Sequence, residues 1–116
     1  MPLQLRSQSS TYRWPVVVEF PAEDGGKFQR ETFDAEFKRL PQDRLREIGE
    51  KIEAGSITDL ELLDQVLVGW AGILDEQGEP VPFTESARQR ILNVALVAQS
   101  IVSAWLESLA KGKRKN

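Results

Sequence analysis

The chain lacks the residue types that most enzymes use as nucleophiles, general bases and metal ligands. It has no histidine and no cysteine among its 116 residues. Ser/His/Asp and Cys/His nucleophile arrangements therefore cannot form, and the commonest zinc ligands are missing. A carboxylate pair for acid/base chemistry or a lysine Schiff base is conceivable, but no spacing singles one out. The sequence predicts a protein that is not an enzyme and that uses no cofactor or metal.

The charged residues form an acidic body followed by a short basic tail. The net charge is −3 and the isoelectric point is near 5.0, which argues against overall electrostatic binding to nucleic acid. Residues 111–115 nevertheless include Lys111, Lys113, Arg114 and Lys115. We expect residues 111–116 to be a disordered, solvated tail, with nucleic-acid contact as the alternative. No aromatic side chain stands between these charges to stack on bases.

Length and hydropathy predict one domain that stays in the compartment where it is made. We expect a flexible lead-in over residues 1–10, a single domain over 11–110 and then the basic tail. The lead-in has no apolar stretch typical of a signal peptide. The longest apolar stretch, residues 91–106, is shorter than the ~20 residues of a membrane span. With no cysteine, the chain fits a reducing compartment, so we expect a cytoplasmic protein without a membrane partner.

The first third of the chain has the two-residue periodicity of a β-hairpin. Pro15 within the first strand indicates an edge position or a bulge. A turn over residues 21–26 leads into a second strand that ends near Phe37. Phe28 and Phe33 are five positions apart, so we expect a bulge near Thr32 to turn both inward. Residues 3–5 could add a third short strand. The alternating apolar residues of the first strand are Trp14, Val16, Val18 and Phe20.

Three helices are predicted after Pro41. The first closes at Gly55, and a capping box of Thr58 with Glu61 begins the second. A loop over residues 75–82 ends the second helix, and Thr84 caps a third that runs to about Ala110. The fold class is therefore α+β, with a hairpin followed by three helices, the last one long. The apolar stripe of the second helix is Leu60, Leu63, Leu67, Trp70 and Leu74.

The last helix is apolar over more than half of its circumference. Either it is a central helix packed on two sides, or one face awaits a partner. Apolar helix faces bind other proteins by lying in grooves. The residues that we assign to partner binding on this hypothesis form one line: Leu92, Leu96, Val102, Leu106 and Leu109.

Structural roles alone can explain the residues of the connector from Val68 to Glu85. Trp70 anchors the end of one helix, Gly78 permits a turn, and Phe83 enters the core just before the next N-cap. Trp105 provides a further anchor on the last helix.

The amino-acid sequence of this connector resembles that of one protein family. A Trp, an aspartate-bearing turn with Gly, a Pro-Val-Pro-Phe-Thr segment and a long helix ending in Trp are similar to the tail assembly chaperones of long-tailed bacteriophages. The segment from Phe33 to Leu40, which follows a β-rich start, agrees with this resemblance. The similarity covers the chain from about Val16 to Leu109.

The resemblance implies a non-enzymatic protein of the bacterial host cytoplasm that is absent from the mature virion. Such a chaperone binds the tape measure protein, keeps it soluble, and promotes assembly of tail tube protein around it. Self-association into a homo-oligomer is also implied. Two alternatives stay open: a structural tail completion or connector subunit of the virion, and a small nucleic-acid-associated regulator that uses the basic tail.

Overall fold

A computed structural model describes Leu3 and residues 9–114, with side chains as far as Ala110, so most of the lead-in lies outside the described residues. The architecture is α+β, as predicted, with a three-stranded antiparallel sheet and a long last helix. The elements in chain order are β1 (Thr11–Pro21), β2 (Phe28–Lys38), α1 (Gln42–Glu53), α2 (Asp59–Val66), β3 (Leu67–Ala71), α3 (Glu85–Leu92) and α4 (Val97–Arg114).

The sheet has the order β1-β2-β3, so β1 is an edge strand, as Pro15 indicated. The predicted bulge near Thr32 is absent, because the β1–β2 register runs unbroken from Thr11 opposite Lys38 to the hairpin turn. Phe28 is 67% exposed, so no break is needed to bury it. Phe33 lies opposite Val16 on the inner face of the sheet.

The predicted second helix is wrong beyond Val66. Residues 67–71 instead form β3, which places Trp70 opposite Ala35 of β2. The register shifts between Glu36 and Phe37, so β3 contains a bulge. Gly69 explains the change, because glycine disfavours helix and a Cβ here would lie 2.8 Å from Glu36 Oε1. Pairing with the open edge of β2 therefore decides the structure of residues 67–71, although the spacing of Leu67 and Trp70 favours a helix.

The predicted last helix is two helices. The axes of α3 and of α4 up to Ala110 differ by 97°. The break lies between Asn93, the C-cap of α3, and Leu96, which has a φ of 78°. Helix α4 continues to Arg114. Residues 111–114, which were expected to be part of a disordered tail, therefore belong to a helix.

The predicted helix boundaries at three other places are confirmed. Thr58 and Glu61 form a reciprocal capping box, with Glu61 N donating to Thr58 Oγ1 over 3.1 Å. Thr84 Oγ1 accepts from Ala87 N at the start of α3. Gly55 follows the end of α1 with a φ of 68°, a conformation that favours glycine.

The core lies between the inner face of the sheet and the helices. Val16, Ala35 and Phe37 from the sheet are fully buried against residues from α2 and α4. Trp105 of α4 is 2% exposed, as predicted. Burial of each large apolar side chain stabilises the fold by about 1.5–3 kcal/mol. The core therefore fixes α4 against β1.

Candidate partner-binding surface

The described polar and charged side chains all lie at least partly at the surface, and none of them is buried. No group of three or more acidic residues in the described part of the chain could hold a metal ion. Catalytic groups are usually tuned by burial and by close charged neighbours. Apolar clefts on the described surface are therefore the candidates for a binding site.

One cleft is lined mostly by apolar side chains. It lies between the hairpin end of the sheet and the junction of α3 with α4, and it has a volume of about 220 Å³. We call it the apolar cleft. A cavity of ~150 Å³ holds a benzene ring, so this space suits one or two large apolar side chains of a partner. Its apolar lining residues are Val18, Phe20, Phe33, Ile73, Leu74, Ile91, Val94 and Val97.

Two rim residues of the apolar cleft extend into solvent. Leu74 is 59% exposed and Val94 is 45% exposed. Glu31, which also lines the cleft, accepts a hydrogen bond from Gln29 Nε2 over 2.8 Å. A carboxylate at the rim of an apolar cleft suits a lysine or arginine that flanks apolar residues of the partner.

The turn after β3 fixes the position of Leu74. Asp75 Oδ1 accepts from the backbone N–H groups of Gln77 and Glu79, both over 2.9 Å. Leu74 also forms an isolated antiparallel bridge with Pro80. Gly78 has a φ of 80°, which permits the turn as the sequence predicted. The loop therefore folds back on itself and presents Leu74 at the rim.

The junction of α3 with α4 presents Val94. Val97 N donates to Val94 O over 3.2 Å, and Ser100 Oγ donates to Leu96 O over 2.7 Å. The left-handed conformation of Leu96 costs about 1–2 kcal/mol. Half-burial of the Leu96 side chain against the core offsets part of that cost.

The predicted partner-binding line does not form one surface. Leu92 and Val102 are only 8% and 9% exposed. They belong to the core, so their assignment to a partner-binding surface is wrong. Leu96 is half-buried at the junction, whereas Leu106 and Leu109 are 43% and 40% exposed on α4. The prediction placed these residues on one straight helix, but the 97° bend between α3 and α4 separates them.

Sequence reasoning missed the apolar cleft although it recognised its residues. Ile91 and Val94 belong to the apolar stretch over residues 91–106, and Leu74 belongs to the apolar stripe of the predicted second helix. Local sequence signals could have shown where the predicted second and last helices are interrupted. Gly69 and Gly72 flank Trp70, and Asn93 is a residue type that ends helices.

A second surface combines aromatic rings with positive charges. A cleft of about 500 Å³ near the start of β1 is lined by Tyr12 and Trp14 together with Arg13, Lys38 and Arg39. The guanidinium carbon of Arg39 lies 5.1 Å from the centroid of the Tyr12 ring. Leu109 of α4 also lines this cleft, and the basic residues from Lys111 onward come soon after it in the sequence.

In the part of the chain that the structure describes, no single helix is long and apolar enough to cross a membrane. Only α3 and α4 up to Ala110, taken together, reach the required length and composition.

Comparison of the chain with models of protein families, with curated proteins and with solved structures finds no match.

Proposed function

We propose that the chain is a non-enzymatic phage tail assembly chaperone that binds the tape measure protein and keeps it soluble. The observation that carries the proposal is the apolar cleft with Leu74 and Val94 exposed on its rim. The client is taken from the resemblance of the connector to the tail assembly chaperones of long-tailed bacteriophages. The chaperone acts in the host cytoplasm, assists assembly of tail tube protein around the client, and leaves before the virion is complete.

The proposed mechanism is protection of apolar helical segments. Tape measure proteins are long and largely helical, so before assembly their apolar faces are open to aggregation. One or two large side chains of such a face enter the apolar cleft, and Leu74 and Val94 cover their neighbours. Burial of each of these side chains contributes about 1.5–3 kcal/mol. Single sites are therefore weak, and many copies along one client supply the total affinity through multivalency.

The proposal is tested by co-expression of the chain with its proposed client, a phage tape measure protein. Leu74→Lys and Val94→Lys place a charge at the rim of the apolar cleft. The matched controls are Leu60→Lys and Val68→Lys, since Leu60 and Val68 are 52% and 42% exposed and line no described cleft.

We expect the rim variants to leave the client insoluble and the controls to keep it soluble. Thermal melting of each purified variant shows whether it is folded. If folded rim variants keep the client as soluble as the parent chain does, the apolar cleft is not the binding site. If the parent chain itself leaves the client insoluble, the proposed function is wrong.

A second candidate function rests on the cleft of Tyr12, Trp14, Arg13, Lys38 and Arg39 and on the basic residues 111–115 of the sequence. Aromatic rings and cations together are what single-stranded nucleic acid needs. A regulator of this kind should lose affinity steeply as salt rises, in proportion to the phosphates that it neutralises. Filter binding of a single-stranded oligonucleotide at several salt concentrations, with and without residues 111–116, measures this. Absence of binding at low salt rejects this function.

A further inference from the structure

The edge of β1 that faces away from β2 is paired with no strand among the described residues. Two backbone hydrogen bonds identify the groups on that edge. Arg39 N donates to Ser10 O and Ala22 N to Lys27 O, each over 2.9 Å, and both pairs continue the β1–β2 register. Even-numbered residues of β1 therefore bond to β2. Odd-numbered residues direct their N–H and C=O groups to the open edge.

Both prolines of β1 occupy open-edge positions. Pro15 and Pro21 are odd-numbered, so the N–H that each lacks would have faced away from the β1–β2 ladder. Prolines at such positions restrict which strands can add to an edge. The donors that remain there belong to Thr11, Arg13, Val17 and Glu19.

We propose that β1 pairs antiparallel with β1 of a second copy of this chain, about a twofold axis at Val16, so that two sheets join into one. Thr11–Pro21 then overlaps its copy over the full strand. Arg13 of each copy lies opposite Glu19 of the other, and Pro15 lies opposite Val17. Each remaining open-edge N–H faces a carbonyl of the second strand.

The charges on the outer face select this register. Within one copy, Arg30 lies opposite Glu19, and Glu36 lies opposite Arg13. With full overlap, each pair becomes part of a row of four charged residues, one from each of four neighbouring strands. The charges in each row alternate in sign. Opposite charges on directly facing residues stabilise a strand pair, and like charges destabilise it. Neither Arg13 nor Glu19 has an ion pair with another described residue, so both are available.

The neighbouring registers are poorer. A shift by two residues in one direction places Pro15 opposite Pro15 of the second copy, so that this rung has no N–H donor. A shift in the other direction places Glu19 opposite Pro15 and Arg13 opposite Pro21. Both shifts separate the Arg13 and Glu19 side chains and shorten the overlap.

The surface of α4 next to the open edge leaves room for a second strand. A groove of about 590 Å³ lies beside Pro15 and Val17, and Ser100, Ser103 and Ala110 line it. These small side chains allow close approach of another element. Leu106 also lines the groove, and pairing of the two strands would cover it together with the 38% exposed Val17. The inference holds for any client, because the new pairing uses the outward-directed backbone groups of odd-numbered residues, whereas β1 lines the apolar cleft with the side chains of Val18 and Phe20.

The test uses two full-length variants with complementary charges. Arg13→Glu leaves two acidic residues at these positions of β1, and Glu19→Arg leaves two basic ones. Each variant alone faces like charges at both rungs with its own copy, whereas a mixture restores both opposite pairs. Sedimentation equilibrium measures dimerisation of the parent chain, of each variant and of the equimolar mixture. Circular dichroism verifies that each variant is folded.

We expect the parent chain to dimerise, each variant to dimerise roughly tenfold more weakly or worse, and the mixture to recover parent affinity. The recovery should diminish at high salt. A monomeric parent chain overturns the proposal, as does a mixture no tighter than its components. If only a chain lacking residues 1–8 dimerises, those residues cover the edge in place of a second copy, which also overturns it.

Discussion

The indole of Trp70 meets the ring of Phe83 edge-on, with centroids 4.6 Å apart and an interplanar angle of 73°. Trp70 Nε1 also donates to Val81 O over 2.8 Å. Trp70 belongs to β3, whereas Val81 and Phe83 belong to the segment before α3. These contacts therefore hold the two ends of the loop that presents Leu74 to the apolar cleft.

Replacement of Trp70 separates the ring contact from the hydrogen bond. Trp70→Phe keeps an aromatic ring against Phe83 but removes the donor to Val81 O, so we expect a loss of about 1 kcal/mol in the free energy of unfolding. Trp70→Ala removes both and should cost about 2–3 kcal/mol, less than a fully buried tryptophan, because the side chain is half-buried. Urea denaturation measures both values. Equal losses for the two variants would show that the ring contact contributes nothing.

Trp105 should be the most costly aromatic residue to truncate. Its side chain is 2% exposed within the core, so Trp105→Ala should lower the free energy of unfolding by about 3–5 kcal/mol. Trp14 is the matched comparison, since it is half-buried on β1 and its Nε1 is 3.5 Å from Glu107 Oε1. We expect Trp14→Ala to cost less. Thermal melting that ranks the two variants in the opposite order would contradict the burial of α4 against β1.

Two glycines near α1 should respond to alanine with opposite signs. Gly49 lies within the helix with no atom within 4 Å of an added Cβ, so Gly49→Ala should stabilise the fold by about 0.5–1 kcal/mol. Gly55 has a φ of 68°, so Gly55→Ala should destabilise it by about 1 kcal/mol. The difference between their denaturation midpoints is the measurement. A stabilising Gly55→Ala would show that α1 does not end in this way.

The sequence predicts those parts of the fold that local chemistry decides. Alternation from Trp14 to Phe20 identifies β1, and Thr58 and Thr84 mark helix starts because their hydroxyls cap backbone N–H groups next to them. The strand β3 escaped prediction because its pairing with β2 joins residues that are 30 to 37 positions apart. Leu67, Trp70 and Leu74 also match helical spacing, so periodicity alone favours the wrong element.

The candidate site was predictable only as a property of the last helical segment. The apolar excess around Ile91 and Val94 is visible in the sequence. Asn93 signals a helix end, but the direction of the bend that follows is not visible, because a leucine gives no local reason for the positive φ of Leu96. Since the bend brings α3 toward the end of the sheet, the cleft with Phe20 and Phe33 is visible only in three dimensions.

The most direct test of the apolar cleft is a binding measurement with purified components. Isothermal titration calorimetry of the chain with overlapping peptides that span the tape measure protein should identify at least one apolar helical peptide that binds. Burial of apolar surface predicts a negative heat-capacity change on binding. Leu74→Lys and Val94→Lys should each weaken that binding about tenfold, while Leu60→Lys should retain parent affinity. Equal affinity of the parent chain and both rim variants would contradict the assignment of the client site to the apolar cleft.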